Sequence, residues 1–148
     1  MVSKVRVGIV GAGTVGGLGK HYNSHAGGYT NIDDCELVAI ADINENRLNQ
    51  FGNEWGIPDQ QRYRTASEMY SKVNLDVVSI TTHNINHHQP VIDAAEAAVK
   101  VIMVEKPISI SVKWARKMIE ACDNSGARLI TEHTRRFLPH YKKIKKIK

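Results

Sequence analysis

This chain of 148 residues has no long apolar run. A helix that crosses a bilayer needs roughly 18 or more consecutive apolar residues, so that class is excluded. The N-terminal apolar stretch is short and runs straight into glycines, which is not the shape of a signal peptide. Cysteine is scarce. Cys35 and Cys122 stand far apart and no C-x-x-C occurs. That argues against a disulfide framework or a cysteine zinc site, and for a reducing cytoplasm. Internal repeats and low-complexity tracts are missing too. Residues 142–148 lack any acid and hold five lysines, which account for the whole formal net charge of +5. The remainder is balanced, 15 basic residues against 15 acidic. With no aromatic residue among them, these lysines read as the solvated face of an amphipathic helix around Ile144 and Ile147. A grip on nucleic acid or on a membrane is not expected.

What the chain does have is Val5-Arg6-Val7-Gly8-Ile9-Val10-Gly11-Ala12-Gly13-Thr14-Val15-Gly16. A β-type run leads directly into G-x-G-x-x-G. A second apolar run, Leu37 to Ala41, ends in Asp42, 26 residues past Gly16. The pattern describes a dinucleotide site. Gly11 allows the tight turn, Gly13 lets backbone approach a pyrophosphate, and Gly16 lets the following helix pack close. The phosphates are expected on the N-terminus of that helix. Asp42 can accept from both adenosine ribose hydroxyls, which favours NAD over NADP because a carboxylate repels a 2′-phosphate. Two features fit less well. Gly17 and Gly19 fall inside the expected helix, at roughly 1 kcal/mol each relative to alanine. The acid also comes later than the usual spacing of about 20 residues. Residues 21–34 therefore read as an enlarged connection.

Strand and helix patterns alternate throughout. Strands are expected at residues 4–10, 36–41, 61–64, 76–81, 101–104 and 128–131. Helices are expected from the glycines towards Tyr22, at 44–55, in a short element capped by Thr65 or Ser67, at 90–99, and in one capped by Ser109 or Ser111 and closed by Gly126. This predicts one α/β domain, a doubly wound parallel sheet (Rossmann fold) of six strands in the order 3-2-1-4-5-6. Ligands of such sheets bind outside the carboxyl ends of the strands. The segments there are Gly11–Gly16, Asp42, residues 81–88, Glu105-Lys106-Pro107 and residues 132–137. All are polar or special, so they predict one composite site. Among the histidines, His87 is expected to face the cofactor, His83 and His88 to be solvated loop residues, and His21 and His25 to lie on the surface. No metal site is expected, because His83, His87 and His88 lack an acid or cysteine at ligand spacing. Arg62 and Arg64 read as ordinary solvated charge.

The chain resembles the Gfo/Idh/MocA oxidoreductases. Gly11 to Gly16, Asp42, Thr82-x-Asn84-x-x-His87, Glu105-Lys106-Pro107 and Arg135-Arg136-Phe137-x-Pro139 carry the resemblance, which covers essentially the whole chain. It implies transfer of hydride between a nicotinamide dinucleotide and a sugar or polyol. Thr14 and Val15 would offer amides to the pyrophosphate. Thr82, Asn84 and His87 would line the nicotinamide-ribose side, and Glu105, Pro107 and Arg136 would also bind the cofactor. Lys106 would contact the reacting hydroxyl or carbonyl as the catalytic residue, aimed by a cis peptide before Pro107. His83 departs from the family, which often has proline there. The family continues into a second α/β domain that supplies most of the substrate pocket and the usual homo-oligomer interface. Residues 1–148 would then be the dinucleotide-binding domain, with 137–148 starting the helix towards that second domain, and little turnover is expected from them alone. A stand-alone binding or regulatory module is the alternative.

Overall fold

The computed structural model describes residues 3–145. Six parallel strands form one sheet in the order β3-β2-β1-β4-β5-β6. They are β1 (Val5–Val10), β2 (Cys35–Ala41), β3 (Arg62–Tyr63), β4 (Val77–Ile80), β5 (Val101–Val104) and β6 (Arg128–Thr131). The helices are α1 (His25–Thr30), α2 (Glu45–Trp55), α3 (Ala66–Lys72), α4 (His88–Glu96), α5 (Val112–Ser125) and α6 (Pro139–Lys145).

Successive strand residues point to opposite faces, and both faces are covered. Ile9 and Ile40 face α1 and α2, where they pack with Ala26, Leu48, Phe51 and Ile57. Val10, Ala41, Ile80 and Val104 face the other way, against Met69, Val91, Ala94 and Met118 of α3, α4 and α5. Burying each large apolar side chain contributes roughly 1.5–3 kcal/mol. The capping chemistry is local. Asn44 accepts from the Arg47 amide (3.0 Å) to start α2, and Thr65 accepts from the Glu68 amide (3.1 Å) to start α3. Gly56 and Gly126 close α2 and α5 in the left-handed conformation. Ser111 occupies the cap position of α5 without a capping bond, and Ser109 Oγ accepts from its amide instead.

The first helix differs from the sequence reading. Residues 13–20 make turns and no regular helix reaches Tyr22. One turn starts, with the amides of Gly17 and Leu18 both reaching Gly13 O at 3.0 Å. The chain then leaves it. Gly17 (φ +140°), Gly19 (φ +78°) and Lys20 (φ +54°) take left-handed conformations that β-substituted residues resist. It returns at α1, where the His25 amide donates to Val15 O (3.1 Å) and the Ala26 amide to Gly16 O (2.9 Å). In an unbroken helix residues 19 and 20 would make those two bonds. The chain therefore carries a six-residue excursion within one helix. The excursion also brings the late position of Asp42 back to the usual spacing. Trp55 Nε1 donating to Gly17 O (2.9 Å) and the Gly19 amide donating to Glu54 (2.8 Å) pin it to α2.

Three smaller expectations change. Arg62 is not solvated: its side chain is 9% exposed, lies over Gly52, donates to Ile57 O and pairs with Asp59 at 2.8 Å. Helix α4 begins at His88, two residues before Pro90, and His88 stacks on Trp114 with ring centres 4.1 Å apart. Helix α6 buries no residue, with Ile144 63% exposed, while residues 146–148 of the lysine-rich segment lie outside the described residues.

Candidate functional site

Main-chain bonds lace the carboxyl edge of the sheet. Asp42 N donates to Tyr63 O (3.1 Å), Gly11 N to Ala41 O (2.8 Å), Thr81 N to Val10 O (2.8 Å), and Glu105 N to Ile80 O (3.0 Å). Each residue just past a strand is thereby fixed at the rim. Val15, Thr81, Thr82, His83, Asn84, His87, Glu105 and Lys106 line an open crevice there of about 230 Å³.

The glycine loop forms one wall. Gly11 has φ +105°, and a Cβ there would come within 2.9 Å of the Thr81–Thr82 peptide. The Thr81 hydroxyl donates to Gly11 O at 2.8 Å and clamps the loop to β4. A Cβ on Gly16 would run into the Gly11 carbonyl and approach Thr81 Oγ1 to 2.9 Å. Gly16 is therefore required by its own loop and by β4, not by the close approach of a following helix. A Cβ on Gly13 would meet nothing within 4 Å, so it would enter the open space over the loop. Thr14 and Val15 are exposed, and their amides have no partner among the described residues. A loop that offers free amides to open space has the chemistry of a diphosphate cradle. The helix behind it is not the long one expected, because the excursion interrupts it after one turn.

Asp42 stands at the end of β2. Its Oδ2 accepts from the Ala12 amide at 2.6 Å and its Oδ1 from the Asn44 amide at 2.7 Å. A carboxylate has about four acceptor positions, so ribose hydroxyls can still be held alongside these two bonds.

Across the crevice, the Thr82 hydroxyl is buried without a hydrogen-bond partner among the described residues. An unpaired buried hydroxyl costs roughly 1–3 kcal/mol, and a ligand group in the crevice would relieve that cost. Asn84 is exposed at the rim. His87 departs from its expected role as a cofactor contact. It is 1% exposed, with Nε2 3.0 Å from Thr82 O and Nδ1 3.2 Å from both Pro107 O and Ile108 O. Its two ring nitrogens face backbone carbonyls only, Nε2 towards the loop after β4 and Nδ1 towards the loop after β5. It shapes the crevice through the backbone it holds.

Lys106 is exposed at the crevice, and its ammonium makes no hydrogen bond or ion pair among the described residues. The Lys106–Pro107 peptide is cis. Glu105 lines the crevice, but both its carboxylate oxygens are engaged behind it. Its Oε1 lies 3.1 Å from His25 Nε2, and its Oε2 accepts from the Lys106 amide at 3.1 Å. His25 is thus no surface residue: its side chain is 8% exposed, and its Nδ1 is 3.0 Å from Ser79 Oγ. Tyr29 completes the cluster, its hydroxyl 2.9 Å from Ser79 Oγ. Burial pushes the Tyr29 phenol up. Reasoning from sequence missed His25, Ser79 and Tyr29. The available signal was Ser79, a polar residue in a strand buried on both faces, which must find partners. Arg136 is exposed in a 3₁₀ turn (Thr134–Phe137), and its side chain bonds to none of the crevice residues.

Residues 5–133 match the profile of the Gfo/Idh/MocA oxidoreductases, described as an oxidoreductase family with an NAD-binding Rossmann fold. The chain belongs to this family. Among its Gfo/Idh/MocA relatives, myo-inositol 2-dehydrogenase of Thermotoga maritima is 31% identical over 141 residues, 95% of this chain and 40% of that protein. D-apiose dehydrogenase of Paraburkholderia graminis is 34% identical over 127 residues, 86% of this chain and 33% of that protein. The crystal structure of the WlbA dehydrogenase from Bordetella pertussis, in complex with NADH and UDP-GlcNAcA, superposes with a TM-score of 0.86 at 27% identity. It covers 97% of this chain and 42% of that one. The chain thus spans between a third and about two fifths of the length of these proteins, and its own residues 5–133 are the part that matches the NAD-binding fold.

Proposed function

We propose that this chain is the dinucleotide-binding domain of a dehydrogenase acting on a sugar or polyol, with residues from 137 onward leading towards a second domain. The observation that carries the reading is the meeting in one crevice of three groups without a partner among the described residues: the amide of Val15, with that of Thr14 next to it in the glycine loop, the buried Thr82 hydroxyl, and the Lys106 ammonium. The residues fit NAD. The space over Gly13 takes the diphosphate, the remaining acceptor capacity of Asp42 takes ribose hydroxyls in preference to a 2′-phosphate, and Thr82 with Asn84 faces the nicotinamide side. Bound NAD supplies the hydride acceptor. Lys106 hydrogen-bonds the substrate oxygen at the reacting carbon and stabilises the negative charge that develops there. The related inositol and apiose dehydrogenases support a polyhydroxylated substrate. Among the described residues no helix is long and apolar enough to cross a membrane. We read the setting as cytoplasmic and the partners as small molecules rather than nucleic acid, with assembly into homo-oligomers left to the second domain.

Calorimetric titration of the 148-residue chain with NADH and NADPH tests the reading. The expected result is saturable NADH binding, several-fold tighter than NADPH, that is lost in Gly13→Val. The absence of any heat with either dinucleotide would overturn it.

A further inference from the structure

We infer that His25 is a positioning residue whose hydrogen bond to Glu105 keeps that carboxylate off the Lys106 ammonium. The inference rests on the functional reading of Lys106 given above.

The geometry is specific. Glu105 and Lys106 are adjacent in the chain at the crevice, yet their charged groups form no ion pair within 4.0 Å among the described residues. An acid attracts a base beside it, by up to about 1 kcal/mol where the ammonium is exposed. Here each carboxylate oxygen already accepts one hydrogen bond, Oε1 from His25 Nε2 and Oε2 from the Lys106 amide, and the two together hold the side chain in a direction away from the ammonium. The Glu105 side chain is 16% exposed and that of His25 is 8% exposed, so water competes little for these bonds. Glu105 fixes which His25 nitrogen donates, because an ionised carboxylate only accepts. Nε2–H donates to Glu105, and Nδ1 shares a hydrogen bond with Ser79 Oγ, which in turn bonds the Tyr29 hydroxyl. The cluster joins α1, β4 and the end of β5, and His25 reaches it only because the excursion returns the chain to the first helical turn.

The consequence is chemical. An ammonium paired with a carboxylate gives up its proton less readily and offers fewer hydrogen bonds to a ligand. By holding Glu105, His25 keeps Lys106 free for the substrate oxygen.

The test is competitive labelling of the lysines of the folded chain with an amine-reactive ester, read by mass spectrometry. Lys106 is scored against Lys100 and Lys113 as internal standards. His25→Gln places an amide donor where Nε2 stands, whereas the shorter His25→Asn reaches Ser79 and not Glu105. The expected result is near wild-type labelling of Lys106 in His25→Gln and at least threefold slower labelling in His25→Asn. In Glu105→Gln the His25→Asn change should have no effect. Equal Lys106 rates in the wild type and His25→Asn, or equally slow rates in both His25 variants, would overturn the inference. NADH titration of the same samples separates the two readings. If the wild type does not bind NADH, the proposed function fails; if it binds and Lys106 labelling ignores His25, only the positioning role fails.

Discussion

The Ala12 amide donates a 2.6 Å hydrogen bond to Oδ2 of Asp42, so the carboxylate at the end of β2 braces the glycine loop. Oδ1 meanwhile accepts from the Asn44 amide at the start of α2. Asparagine has one oxygen and cannot accept from both amides. Asp42→Asn should weaken NADH binding by about tenfold, equivalent to about 1.4 kcal/mol. Asp42→Ala should weaken it further and narrow the preference for NADH over NADPH. Calorimetry on the three proteins checks this, and unchanged affinities would remove Asp42 from the site.

Arg64 lies just past β3, with its guanidinium against Ile43 O and 3.2 Å from the Glu45 carboxylate. This places a tethered cation one residue from Asp42. Glu45→Ala removes the carboxylate tether, leaving only the bond to Ile43 O, without touching Asp42. NADPH affinity should rise several-fold while NADH affinity holds. Fluorescence titration with both dinucleotides measures the ratio, and a ratio that does not move would mean Arg64 cannot reach the 2′-phosphate.

Gly13 and Gly16 should fail in different ways. Alanine at 16 pushes a Cβ into the Gly11 carbonyl and Thr81, so Gly16→Ala should lose roughly 1–3 kcal/mol of stability, seen as a lower thermal midpoint. Alanine at 13 meets no protein atom, so Gly13→Ala should melt like the wild type and bind NADH at least tenfold more weakly.

Asp76 ties β1 to β5. The Arg6 amide first, and the Lys100 ammonium second, hold its carboxyl below the ordinary value of 3.8. A folded value below the unfolded one means stability that is present above 3.8 and lost as pH falls through the lower, folded value. Asp76→Asn should be less stable than the wild type at pH 7, and the gap should close in acid. Denaturant titrations across that range read it directly.

Much of the fold was legible in the sequence because its signals are local. Apolar runs such as Val101–Val104 and stops such as Gly56 and Gly126 act within a few residues, and strand–helix alternation fixes a parallel order. The crevice was legible for a related reason: Asp42, Thr82 and Lys106 each lie within two residues of a strand's carboxyl end. What could not be read involved long separations or backbone geometry. His25 finds Ser79 and Glu105 at sequence distances of 54 and 80 residues. His87 looked like a ligand because nothing nearby in the sequence shows that its partners are the carbonyls of Thr82, Pro107 and Ile108. Gly17 and Gly19 did disfavour a continuous helix, but only the returning bonds of His25 and Ala26 show that the helix resumes.

Those returning bonds supply a further measurement. Removing residues 19–24 joins Leu18 to His25, and the amides of His25 and Ala26 then keep Val15 O and Gly16 O as ordinary fourth-residue partners. The shortened protein should fold and bind NADH within about threefold of the parent. A circular dichroism melt and a titration suffice, and an unfolded product would show that the excursion is structural.

A segment that departs and rejoins at a single turn also works as a port. Its outermost residues, from Lys20 to Asn23, face solvent. A fluorophore or an affinity tag spliced there would ride on the outer helical layer, anchored by Trp55 and Glu54 below it. Such a graft would leave the coenzyme-binding edge undisturbed while reporting on it from close by.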